Sequence, residues 1–123
     1  MEELASILLH SQTQAHIFHL GVNGPGAYSA HKALQNYYEE IDGLTDTLVE
    51  SYQGKNGLIQ FKPVINLDNN CDVSNIVKYF EKLIMIVETL RKAPNLCDSW
   101  IQNEIDNVIN LLYTTKYKLV NLA

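Results

Sequence analysis

The stretch from Ala27 to Tyr52, AYSAHKALQNYYEEIDGLTDTLVESY, decides how the rest of the chain is read. Within it Ala27, Ala30, Leu34, Tyr37, Tyr38, Ile41, Leu44, Leu48 and Tyr52 recur at spacings of three and four, which is the period of one face of an α-helix. The stripe stops at Gly54. A single amphipathic helix of this length cannot cover its own apolar face, so the fold depends on what else in the chain has the same period.

Three other stretches do. Upstream, Leu4, Ile7, Leu8, Ser11, Ala15, Phe18 and Val22 form a stripe that ends in the glycine cluster from Gly21 to Gly26, where Pro25 suits a first helical turn. Downstream, Ile76, Val77, Phe80, Leu83, Ile84, Val87 and Leu90 follow Asp72 as an expected N-cap and end at Ala93-Pro94-Asn95. The last stripe, Ile101, Ile105, Val108, Leu112, Thr115, Leu119 and Leu122, follows Asp98 as a second expected cap. Short links at 21–26 and 93–97 give two antiparallel hairpins, and the eighteen residues from Gly54 to Cys71 are long enough to cross the bundle. That link has no clear period but carries Leu58, Ile59, Phe61, Val64, Ile65 and Leu67, so it is expected to pack down. The fold class is therefore all-α: one domain over residues 1–123, a four-helix bundle with one long crossover.

Composition narrows the function classes. Nine basic residues against fourteen acidic ones leave a net charge of −5, with no Lys/Arg block, so DNA binding is expected to be weak or absent. Met1-Glu2-Glu3-Leu4 carries acids where a secretory leader would be basic, and no apolar run approaches the ~18 residues of a membrane helix. The expectation is a soluble cytoplasmic protein without a membrane partner. Cys71 and Cys97 precede antiparallel helices, which sets them roughly 30 Å apart, and they read as structural thiols rather than a bridge. Nucleophile elbows, phosphate loops and Glu-x-x-His pairs are all missing.

The polar side of the second stripe is more informative. From Ala33 to Gly54 there is no Lys or Arg, while Glu39, Glu40, Asp42, Asp46 and Glu50 supply five negative charges. On a helical wheel His31, Gln35, Glu39, Asp42, Asp46 and Glu50 fall on one flank beside the apolar stripe. Such a flank repels itself unless a cation or a basic partner answers it. His31 and Glu50 lie roughly 28 Å apart along one helix and cannot share an ion there. Two copies packed antiparallel about a two-fold between Glu40 and Ile41 would set His31 opposite Glu50, and Gln35 opposite Asp46, in two equivalent sites. Imidazole with carboxylates suits Fe(II) and related divalent ions better than structural zinc.

The run from His19 through Leu-Gly-Val-Asn-Gly-Pro-Gly-Ala-Tyr-Ser-Ala to His31, followed by Asp46-Thr-Leu-Val-Glu50 and Tyr-Gln-Gly, resembles the DNA-protection miniferritins (the Dps family, ferritin-like). The resemblance spans about 40 residues, His16 to Gly54, and is architectural elsewhere. It implies a ferritin-like bundle, a homo-oligomer that can reach a cage, and an iron-storing, oxidation-protective role. It also implies a ferroxidase site shared across a two-fold, in which His31 of one chain works with Asp46 and Glu50 of another and His19 is an added ligand. Where that family has an Asp four residues after the second His, this chain has Gln35, a weaker position for iron. The chain is also shorter than that family and has no Lys-rich N-terminal extension. A looser likeness, carried by Ala30 to Glu39 and the Asp, Glu, Gln-Gly pattern, is to small phage-encoded ferritin-like proteins. Two readings follow: a metal-oxidising miniferritin, or a metal-poor ferritin-like module for assembly or partner binding.

Among the remaining side chains, His10 reads as surface, His16 as outward, Tyr37 and Tyr38 as packing, and Trp100 as a core anchor.

Overall fold

The computed structural model describes residues 1–64 and 66–122. It is built from four helices: α1 (Glu2–Gly21), α2 (Ala27–Asn56), α3 (Val73–Leu90) and α4 (Ser99–Asn121), with a 3₁₀ turn at Pro94–Leu96 before α4. α1 packs on α2 and α3, and α4 packs on α2 and α3, so the helices close a square in the order α1, α2, α4, α3. Lys55 near the end of α2 meets Asp98 at the start of α4, and Cys71 before α3 meets the end of α1. The crossover therefore returns the chain to the other end of the bundle before α3 begins, and all four neighbouring pairs run antiparallel. This is the expected all-α four-helix bundle with one long connection.

The core is made by the stripes. Leu4, Leu8, Phe18, Leu34, Tyr37, Ile41, Leu48, Ile76, Phe80, Val87, Ile101, Ile105, Val108 and Leu112 are all buried. Phe80 is its aromatic hub, with Tyr37 edge-on at 4.9 Å and Tyr79 at 5.5 Å, and Phe18 edge-on to Tyr79 at 5.5 Å. Ser11 Oγ donates to the Leu8 carbonyl at 2.7 Å, so the Tyr37 hydroxyl donates to Ser11 Oγ, also at 2.7 Å.

Burial pushes the phenols of both Tyr37 and Tyr79 well above their usual value. Each folded phenol keeps its proton at a pH where the unfolded one, near 10, loses it. Stability is thus fully present below about pH 10 and falls as pH rises beyond it, by up to about 1.4 kcal/mol per pH unit for each tyrosine. Urea titrations between pH 8 and 11 should show this decline, and Tyr37→Phe should reduce its slope while leaving the part due to Tyr79.

Several local expectations change. α2 runs through Gly54 to Asn56 and stops where Gly57 takes φ 86°, a left-handed conformation for which glycine is suited. Pro25 sits in the turn before α2 rather than in its first helical turn. Asp72 and Asp98 occupy the N-cap positions, but neither side chain caps its helix. Asp98 instead pairs with Lys55 at 2.8 Å, and the chain before α3 is ordered by Asn75, which donates to Asp68 Oδ2 and the Asn70 carbonyl. Trp100 is not a core anchor: it is 40% exposed beside Lys55, because Ile101, one residue on, takes the inward position. Leu122 is exposed just past the end of α4.

The crossover is held by hydrogen bonds more than by burial. Leu58 is 88% exposed, and Phe61, Val64 and Leu67 are also open; Ile65 lies outside the described residues. Gln14 pairs with the Asp68 backbone through both its amide nitrogen and oxygen, and Ser6 Oγ accepts from the Lys62 N–H at 2.8 Å. His10, expected at the surface, donates from Nε2 to the Asn66 carbonyl while its Nδ1 faces the Tyr79 hydroxyl.

Cys71 and Cys97 are free, at opposite ends of the bundle. Burial first, then Asp68 and Asp72, push the Cys71 thiol up. Its sulfur lies so close to Gly21 that a methyl there would overlap it and press on its Cβ at 3.1 Å. Gly21→Ala should therefore cost about 1–3 kcal/mol. Adding Cys71→Ala should recover most of that, a non-additive pair visible in denaturant titrations.

Candidate metal centre

α1 ends at Gly21 and α2 begins at Ala27, so the turn between them sets the last turn of α1 against the first turns of α2. His19 and His31 meet there, with rings stacked at a centroid distance of 3.6 Å and 20° between their planes. His19 Nδ1 is 2.8 Å from the His31 carbonyl, and His31 Nδ1 is 2.9 Å from the His19 carbonyl. A carbonyl only accepts, so each Nδ1 carries the proton, and in the neutral ring each Nε2 has a free lone pair. The His19 carbonyl lies in the last turn of α1, where backbone acceptors lack partners inside the helix, and the His31 imidazole supplies one.

His19 is only 8% exposed, while His31 is half-buried. Two further rings wall the pair. Tyr38 makes a T-shaped contact with His19 at 5.3 Å and stacks on His16 at 4.2 Å, and His16 itself makes a T-shaped contact with His19 at 5.9 Å. His16 is exposed, as expected, but it is held in this row of rings rather than pointing freely outward. Its place one helical turn before His19 was a legible signal. Nothing in the sequence marks the two carbonyl partners, which are backbone atoms.

The acidic residues are arranged differently. Asp42, Asp46 and Glu50 are exposed along the outer flank of α2, and the Gln35 amide donates to Glu39 at 3.0 Å. Asp46 and Glu50 stand roughly 22 and 28 Å along the helix from His31. Among the described residues of one chain, no group of three or more His, Cys, Asp or Glu could hold a metal ion. Of the five candidate ligands, one chain stacks His19 on His31 and places Gln35 one turn along α2 with its amide on Glu39, while Asp46 and Glu50 lie far from the histidines along the helix.

The stacking also limits what those histidines can do. Their lone pairs lie in nearly parallel planes, and a 20° tilt does not bring them together within a metal–nitrogen reach of about 2 Å. In this arrangement the two Nε2 atoms are not placed to chelate one ion.

No described helix is long and apolar enough to cross a membrane. Residues 25–119 match the model of a family of unknown function, DUF5856, a span that includes His31, Gln35, Asp46 and Glu50 and begins after His19. No curated protein and no solved structure matches the chain.

Proposed function

For this chain, which belongs to the DUF5856 family, we propose a miniferritin-like role: two copies pack antiparallel through α2, bind Fe(II) as substrate at two shared sites, and oxidise it. The observation that carries the reading is the reciprocal pair of hydrogen bonds between His19 and His31, which leaves both Nε2 atoms free and held in place. Orientation of a ligating imidazole through Nδ1–H to a backbone carbonyl is a common way to fix the tautomer of a metal ligand. The self-repelling flank of α2 supplies the other half, with Asp46 and Glu50 of a second copy facing the imidazoles. Gln35 lies at the neutral position of each site.

In the proposed reaction each Fe(II) gives up one electron. Two such electrons and two protons reduce hydrogen peroxide to two waters as its O–O bond breaks, or reduce dioxygen to hydrogen peroxide. Carboxylates answer the rising charge on the oxidised ions. Storage of the ferric product would follow only in a closed shell.

A second reading, a metal-poor module for assembly or partner binding, is favoured by the engagement of Gln35 with Glu39 and by the open apolar residues Leu58, Phe61, Val64 and Leu67 on the crossover. Anaerobic Fe(II) titration with metal analysis, run beside sedimentation, separates the two. The metal reading expects saturable Fe(II) binding by a dimer or larger species. A monomer at tens of micromolar, an order-of-magnitude choice for a stable interface, together with no bound Fe(II), would favour the module.

A further inference from the structure

From Leu4 to Tyr38 there is no Asp or Glu, and none follows Asp106. The fold lays the first turns of α2 beside the last turns of α4, so two acid-free segments meet at one end of a chain whose net charge is −5. Between them lies a groove of about 380 Å³, lined by Tyr28, Ser29, Lys32, Asn36, Lys118 and Leu122 among others. That volume lies in the range of small-molecule sites.

Lys32 and Lys118 reach the groove from different helices, and neither has an ion pair among the described residues. The Tyr28 ring is 73% exposed, with Lys32 Nζ 5.9 Å from its centroid. α2 starts behind a left-handed Gly26 with no side-chain cap and no acid in its first turn, but its positive pole meets the negative pole at the end of α4, so the positive field of the groove comes from the two lysines. Two ammonium groups, a hydroxyl and an amide around one concavity match the oxygens of a tetrahedral anion, and the open phenol ring offers a face to a flat group.

We propose that this groove binds a small organic phosphate, with Lys32 and Lys118 on the phosphate, Ser29 and Asn36 hydrogen-bonding beside it, and Tyr28 stacking on a planar ring. The groove opens on the α4 side of α2, whereas the imidazole pair lies on the α1 side, so this inference stands apart from the metal reading.

The test is calorimetric titration of the full chain, at low salt, with adenosine 5′-monophosphate, inorganic phosphate and adenosine. Saturable binding of the nucleotide near about 1 mM or tighter is expected, with weaker binding of phosphate and none of adenosine. Lys32→Ala and Lys118→Ala should each weaken nucleotide binding about tenfold, the scale of one charge-assisted contact. Tyr28→Ala should reduce the nucleotide to the affinity of inorganic phosphate. Lys78→Ala, an exposed lysine on α3, should change nothing. None of the substituted side chains is buried, and circular dichroism establishes that each variant is folded. Absence of nucleotide binding, equal binding of adenosine, or binding that both lysine variants leave intact overturns the proposal.

Discussion

His31→Ala is expected to weaken Fe(II) binding by at least about a hundredfold and to remove oxidation above the solution rate. Residues that merely orient a metal ligand cost ten- to a hundredfold when lost, and His31 would do more: it supplies one Nε2 and also orders the His19 carbonyl. Glu50→Ala should act comparably, although Glu50 is exposed and distant from His31 in one chain. That equivalence is the signature of a shared site, because no effect within a single chain links the two positions. Gln35→Asp should strengthen binding about tenfold by replacing an amide dipole with a charge. Mixing His31→Ala and Glu50→Ala chains should restore one intact site in each mixed dimer, since one chain still has its imidazole and the other its carboxylate. Unchanged Fe(II) affinity and oxidation rate in both single variants would displace the site and hand the question to the assembly reading.

Phe80→Ala should be the most damaging change in the core, at about 3–5 kcal/mol in denaturant titration. Phe80 is fully buried, and both Tyr37 and Tyr79 rest edge-on against its ring. Its removal takes away aromatic contacts on α2 and α3 together, and the rigid helix pairs around it cannot collapse far into the void. A loss of that size is a large part of the 5–15 kcal/mol that stabilises a typical domain. A cost below about 1 kcal/mol would show that the bundle repacks more freely than its aromatic geometry implies.

The sequence by itself determined the four helices, the two hairpins and the crossover, because a period of three to four is a local property and the buried face of each helix is written into that period. Leu4, Leu8 and Phe18 on α1, and Ile101, Ile105, Val108 and Leu112 on α4, are buried as their spacing required. It also offered His19, His31, Gln35, Asp46 and Glu50 as candidate ligands, through the offsets that carry the resemblance to the miniferritins. What it could not resolve was any choice between neighbours. Asp98 could cap α4 or pair with Lys55, and the return of α2 to that end of the bundle decided for the ion pair. Trp100 and Ile101 competed for one inward position, and the rotation of α4 decided it. The crossover residues looked apolar enough to bury, yet Gln14 and Ser6 on α1 hold its backbone by polar contacts and leave Leu58 in solvent. The pairing of His19 and His31 with each other's carbonyls was likewise decided only in three dimensions, because a backbone acceptor has no residue identity and becomes a specific partner only when two helix ends are brought face to face.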